Sequence, residues 1–237
     1  MEDAVNRALD YPYATPPFAY QFTAEGVERL ESMPDLRGRH PVVGIGSNRS
    51  PVQLARKFAR WSEELAIPVL PARLSGYDVV YSAHIASYGA VPATLLAQPG
   101  VIVDVAVLWL TADERAQMDA TEALGVNYGR QALPPGSVDS AFTDSGDCLE
   151  TYVSLHGPAY FDGQPSAIAW LRAETRRLPA RHQSEVQDYL RQRVGARESF
   201  EDFVLSAVES RAVRAARARY LAASPAHAPQ PRPIMRP

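Results

Sequence analysis

Apolar residues recur along the chain in two rhythms. Residues 77–84 and 92–96 form short runs rich in β-branched and aromatic side chains, and residues 101–110 are apolar almost without interruption. Such segments predict strands, and residues 41–45 and 149–155 read the same way. Other stretches carry helical spacing. Residues 51–64 follow Ser50 at an N-cap and Pro51 at the first helical position. Residues 111–124 open with a capping box, Thr111 and Glu114, and stop at Gly125. Helical patterns also cover 166–177 and 180–193, separated by Leu178-Pro179, and a single long helix is predicted over 199–222. A short helix over 23–32 takes Thr23 as its cap. Strands gather between 41 and 155 and helices follow, which predicts an α+β fold rather than a βαβ repeat.

The same reading divides the chain. Residues 1–40 form an N-terminal extension whose start is broken by Pro12, Pro16 and Pro17; residues 41–222 form the compact domain, and the proline-rich tail 223–237 is predicted to be disordered. The N-terminus lacks a basic start followed by an apolar run, so no signal peptide is predicted. The run at 101–110 is too short to span a bilayer and contains Asp104, so no membrane partner is expected.

Composition narrows the class. With 237 residues, 46% hydrophobic and 22% charged, the chain can build a core without disulfides or metal, which excludes wholesale disorder and a coiled coil. A net charge of −3 and a pI near 6.0 argue against a dedicated nucleic-acid binder. The single cysteine, Cys148, excludes an internal disulfide framework and a cysteine-cluster zinc site, and suits a cytoplasmic setting. Lys57 is the only lysine, a bias read as that of a GC-rich bacterial genome. Arg211, Arg214, Arg217 and Arg219 follow Glu198, Glu201, Asp202 and Glu209, as in a solvated, charge-segregated helix whose Phe200, Phe203, Val204 and Val208 pack on the body. The five histidines show no metal-ligand spacing, and Trp61, Trp109 and Trp170 are expected to be packing residues.

Two features could carry chemistry. Residues 44–49, Gly-Ile-Gly-Ser-Asn-Arg, lie between a buried strand and a capped helix. Glycines allow close backbone approach, and helix N-terminal amides favour a carboxylate or phosphate. The loop is neither a dinucleotide fingerprint nor a phosphate loop; a tight structural turn and a ligand loop both fit. The second feature is residues 118–125, Met-Asp-Ala-Thr-Glu-Ala-Leu-Gly. Ala112, Ala116, Ala120, Ala123 and Leu124 are expected to face the sheet, with Glu122 elsewhere, beside Met118 and Asp119. A carboxylate between an apolar side chain and another carboxylate is suited to general-base work. A solvated helix with an Arg115–Asp119 pair is the plainer alternative.

The order of these motifs resembles the γ-glutamyl cyclotransferase-like family over residues 41–190. The family's opening Tyr-Gly-Ser-Asn reads here Ile45-Gly46-Ser47-Asn48, and its Leu-Asp-x-x-Glu-Gly reads Met118-Asp119-Ala120-Thr121-Glu122-Ala123. Tyr128-Gly-Arg130, Tyr152, Pro165-Ser166, Leu178-Pro179 and Leu190 follow in the family's order. Ile45 and Ala123 depart from its pattern, and residues 136–147 read as an insertion.

The resemblance implies a small mixed, β-barrel-like sheet with flanking helices, extended at both ends. It implies release of 5-oxoproline from a small γ-glutamyl compound without metal or cofactor. Glu122 would be the general acid/base, and the backbone of Ile45, Gly46, Ser47, Asn48, Arg49 and Ser50 would hold the γ-glutamyl group. Tyr128 and Tyr152 would line the pocket, or else serve as sheet aromatics. The alternative is a non-catalytic domain of the same fold that binds a metabolite or protein partner.

Overall fold

The computed structural model describes residues 2–61, 64–140 and 149–222. The tail 223–237, Cys148 and residues 141–147 of the expected insertion lie outside them. Helix α1 (Glu2–Leu9) is followed by strands β1 (Tyr20–Thr23), β2 (Gly26–Arg29) and β3 (His40–Gly44). A 3₁₀ turn (Ser47–Arg49) leads into α2 (Pro51–Lys57). Two long strands, β4 (Ala66–Tyr81) and β5 (Ala93–Leu110), precede α3 (Ala112–Thr121). Then come β6 (Tyr128–Ala132), β7 (Val138–Asp139), β8 (Glu150–Ser154), β9 (Tyr160–Phe161) and β10 (Gln164–Pro165). The chain continues with β11 (Ala167–Ile168), β12 (Ala173–Glu174), β13 (Ala180–Arg181), α4 (Gln183–Arg193), α5 (Phe200–Glu209) and α6 (Arg211–Ala218).

The α+β class is thus observed, built on one mixed sheet. Its centre is the β4–β5 antiparallel pair, in register from Val69 opposite Leu108 to Tyr81 opposite Ala93. The register shifts between Ser75 and Tyr77, where Gly76 takes a φ of +83°, a bulge conformation that a side chain would disfavour. The two apolar runs at 92–96 and 101–110 therefore belong to one continuous strand. β3 adds antiparallel to β5, β8 lies parallel to β3, and β6 closes antiparallel on β8. The path β13-β11-β4-β5-β3-β8-β6 ends at two separate edges, so the sheet is open and no barrel closes.

Both faces of the central strands are covered, which explains their nearly unbroken apolar sequence. Val43, Val105, Val107 and Trp109 join a large cluster with Phe161, Val186 and Phe203. Their strand neighbours Val42, Ala106, Leu108 and Leu110 join a second cluster with Tyr20, Phe22, Leu54, Phe58 and Met118. This is the period-two alternation of a strand expressed as two cores. Among the described residues, no helix is long and apolar enough to cross a membrane.

Several expected elements differ. Residues 23–32 are not a helix: β1 and β2 form a hairpin closed at Thr23 and Gly26, with Gly26 at φ +133°, and β1 pairs with β4. Residues 166–177 are not helical either, since β11 pairs with β4 and β12 with β5. The helix from Pro51 ends at Lys57; Ser50 and Pro51 take the N-cap and first helical positions as expected, although the Ser50 hydroxyl donates to the Ala14 carbonyl (2.7 Å) and makes no cap hydrogen bond. The terminal helix breaks at Ser210, whose extended backbone ends α5 while its hydroxyl caps α6. Arg211 and Arg219 are exposed as expected, but Arg217 is buried over the Phe203 ring at 3.5 Å and bonded to the Phe203 carbonyl (2.5 Å). Trp170 is 65% exposed rather than packed in a core.

Residues 1–40 take part in both cores. Val5 and Ala8 pack against Val204, Tyr20 and Phe22 join one cluster, and Tyr11 and Tyr13 join the other.

Candidate active site

The loop after β3 is shaped by backbone proximity. A Cβ on Gly46 would meet Ala93 Cβ at 3.0 Å and would collide with Tyr11 Oη. No side chain fits there, so the backbone of residues 45–48 lies directly against β5 and the N-terminal segment. The following 3₁₀ turn carries Asn48 towards the end of α3, where Asn48 Nδ2 donates to Glu122 Oε1 at 2.8 Å.

Helix α3 is fixed at its start by the predicted capping box: Glu114 N–H donates to Thr111 Oγ1 (3.2 Å) and Thr111 N–H to Glu114 Oε2 (2.7 Å). Buried Glu114 also accepts from Arg39 Nη1 at 3.0 Å. The face that packs is Glu114 and Met118; of the residues expected to face the sheet, Leu124 packs on the second cluster but Ala112, Ala116 and Ala120 are exposed. Propensity explains the alanines, which favour a helix without needing burial. Glu122 is the C-cap, and positive φ at Ala123 (+50°) and Gly125 (+78°) turns the chain away. The carboxylate thus sits at the end of a rigid helix, anchored below by Met118.

Its strongest partner comes from α2. Lys57 Nζ forms an ion pair with Glu122 Oε1 and donates to Thr121 Oγ1 at 2.8 Å. The two side chains are only 6% and 11% exposed. Oε1 is thereby engaged by two donors, while Oε2 has no partner among the described residues. Asp119 does not pair with Arg115. It accepts from Tyr152 Oη (2.6 Å) and lies 4.0 Å from Arg130, and Arg115 reaches Glu150 at 3.9 Å.

These groups line a cavity of about 220 Å³. Ile45, Gly46, Ser47 and Asn48 form one wall, and Glu122, Lys57, Tyr128 and Tyr152 another, with Tyr11, Tyr88 and His84 completing it. Tyr128 Oη donates to the Ala93 carbonyl at 3.1 Å. Burial pushes Tyr11, Tyr88, Tyr128 and Tyr152 up from the ordinary tyrosine range, and the adjacent Asp119 reinforces this for Tyr152. All four remain neutral phenols at physiological pH. Burial, with a smaller contribution from His156, lowers His84 to about 3, so its imidazole is neutral. Its Nδ1 lies 2.7 Å from Ser82 Oγ.

Arg49 and Ser50 turn away from this cavity. Arg49 Nη1 donates to the Asp104 carbonyl (3.0 Å) and lines a depression elsewhere with Tyr20 and Arg172. Sequence reasoning missed Lys57, Tyr11, Tyr88 and His84. For Lys57 a signal existed, its being the one lysine among 24 basic residues. Tyr11 and Tyr88 had none, because long-range packing alone brings them here. Among the described residues, no group of three or more His, Cys, Asp or Glu side chains is placed to hold a metal ion.

The molecule is therefore an α+β protein with a small cavity bearing one carboxylate and one ammonium. Among known proteins, no family model matches the chain and no curated protein matches it. Solved structures similar to it include a γ-glutamyl cyclotransferase, 11% identical over 71% of this chain and 87% of that one, with a TM-score of 0.40. Two Arabidopsis thaliana proteins solved in solution are also similar. One is 21% identical over 51% of this chain and 72% of its own, at TM-score 0.37. The other is 20% identical over 53% and 66%, at TM-score 0.34.

Proposed function

We propose that the cavity carries out an intramolecular cyclotransfer on a small γ-glutamyl compound. The substrate's α-amine attacks its own γ-carbonyl, the bond from that carbonyl to the leaving nitrogen breaks, and 5-oxoproline and a free amine depart. Closing a five-membered ring draws its rate from proximity, so no protein nucleophile is required. The α-ammonium must first lose a proton. That proton goes to solvent; as the amine attacks, Glu122 Oε2 takes a second proton from the attacking nitrogen and gives it to the leaving nitrogen, and the freed amine regains a proton from solvent, so the lactam nitrogen keeps one hydrogen and the proton count balances. The backbone of Ile45–Asn48 holds the γ-glutamyl half, while Tyr128 and Tyr152 form walls.

The observation that carries this reading is the placement of Glu122: a nearly buried carboxylate with one unengaged oxygen, tied by Asn48 to the loop that shares its cavity. The test is 5-oxoproline release from a γ-glutamyl amino acid, a γ-glutamyl amine and glutathione, wild type beside Glu122→Gln. Loss of a general base lowers turnover about 10²–10⁴-fold. Equal rates in the two proteins would refute the role of Glu122, and no release from any of the three by folded wild type would count against the reaction.

A further inference from the structure

We infer that Lys57 is a positioning residue that holds Glu122 by its Oε1 and leaves Oε2 free for the substrate. This rests on the proposed reading of the cavity but is testable apart from it.

The first observation is compositional. Of 24 basic residues, 23 are arginine and one is lysine, and that lysine is at the site. The second is geometric. An ammonium buried to 6% exposure needs partners that offset its lost hydration. Lys57 Nζ has two partners, Glu122 Oε1 and Thr121 Oγ1, and Thr121 spends its own proton on the Met118 carbonyl at 2.7 Å. The backbone of Lys57 is tied as well, its carbonyl accepting from Gln117 Nε2 at 2.8 Å. Both ends of the residue are thus attached to α3, the helix that carries Glu122.

The third observation explains why a lysine suits this position in an arginine-rich chain. An ammonium is a compact point charge, whereas a guanidinium is a planar fork that takes both oxygens of a carboxylate. Lys57 and Asn48 crowd onto Oε1 alone. A fork in the same place would engage Oε2, the oxygen that must exchange a proton with substrate.

No other charged group offsets this. The titratable neighbours facing Glu122 are Tyr11, Tyr88, Tyr128 and Tyr152, all phenols at neutral pH. Asp119, one turn earlier, is occupied by Tyr152. Among the described residues, Lys57 is the one cation in contact with the Glu122 carboxylate.

The test compares crystal structures of Lys57→Arg and Lys57→Met with that of wild type, a readout that needs no substrate. In Lys57→Arg the guanidinium takes both oxygens of Glu122, and in Lys57→Met the carboxylate leaves the position in which Asn48 holds Oε1. Lys57→Leu gives the same readout if Lys57→Met does not fold. A Glu122 that keeps its place, with Oε2 free, in both variants overturns the inference. Where wild type releases 5-oxoproline, Lys57→Met and Lys57→Arg each lose about 10²-fold in kcat with KM little changed, and a fully active Lys57→Arg refutes the free-Oε2 argument. A displaced carboxylate in a protein that releases nothing supports Lys57 and counts against the reaction.

Discussion

Gly46→Ala adds one methyl group where the chain has no room. Its Cβ would stand 3.0 Å from Ala93 Cβ and run into Tyr11 Oη. Carbon pairs are comfortable at about 3.5–4.0 Å. Ala93 belongs to the central β4–β5 pair, so Tyr11 is the group that yields. Tyr11 Oη accepts the Ala93 N–H at 2.8 Å, and displacing it leaves a buried donor unpaired at about 1–3 kcal/mol. Overpacking adds about 1–3 kcal/mol, so the variant loses about 4 kcal/mol. For a domain of this size that lowers Tm by about 8–16 °C. Tyr11→Phe alone loses the same hydrogen bond and costs about 1–3 kcal/mol. In the double variant the colliding oxygen is already gone, so the two costs overlap by about 1–3 kcal/mol. Urea denaturation followed by circular dichroism on wild type, both single variants and the double variant measures that coupling. Additivity within about 0.5 kcal/mol would refute the claim that Tyr11 seals the Gly46 loop.

Two further outcomes are expected. His84 titrates at about 3 in the fold against 6.5 for an ordinary histidine, so below pH 6.5 the unfolded chain binds the extra proton and stability falls as pH drops towards 3. Between pH 7 and pH 5 this amounts to about 2 kcal/mol, and His84→Gln should flatten that part of the urea-derived stability curve; an unchanged slope would contradict the assignment. Arg176 Nε and Nη2 each donate at 2.8 Å to the fully buried Asp78. Arg176→Met strands that carboxylate and should cost about 3–5 kcal/mol, with Asp78→Asn restoring part of it. A loss below 1 kcal/mol in calorimetry would show the pair to be solvated.

Local signals were legible in the sequence wherever their causes are local. The Thr111–Glu114 capping box depends on four consecutive residues and forms as read. The apolar run at 101–110 reads as a strand and is one, within β5. The Gly-Ser-Asn loop and the Asp-x-x-Glu helix end were both recognisable, and packing brings Asn48 and Glu122 to 2.8 Å. What failed depended on distant partners. Residues 23–32 and 166–177 have acceptable helical spacing, but β4 and β5 offer edges that take them as strands. The long terminal helix breaks at Ser210, whose hydroxyl starts a second helix.

The cavity divides in the same way. Its carboxylate and loop were readable because each lies in a recognisable local string. Lys57 shows in the sequence only as a compositional oddity, and Tyr11 as part of an apparent extension. Each becomes a site residue only when α2 meets α3 and the N-terminal segment crosses β5. Sequence alone determined which segments could form helices and strands and which groups had usable chemistry. The tertiary structure decided which of those groups meet, because burial and hydrogen-bond satisfaction are settled between segments far apart in the chain.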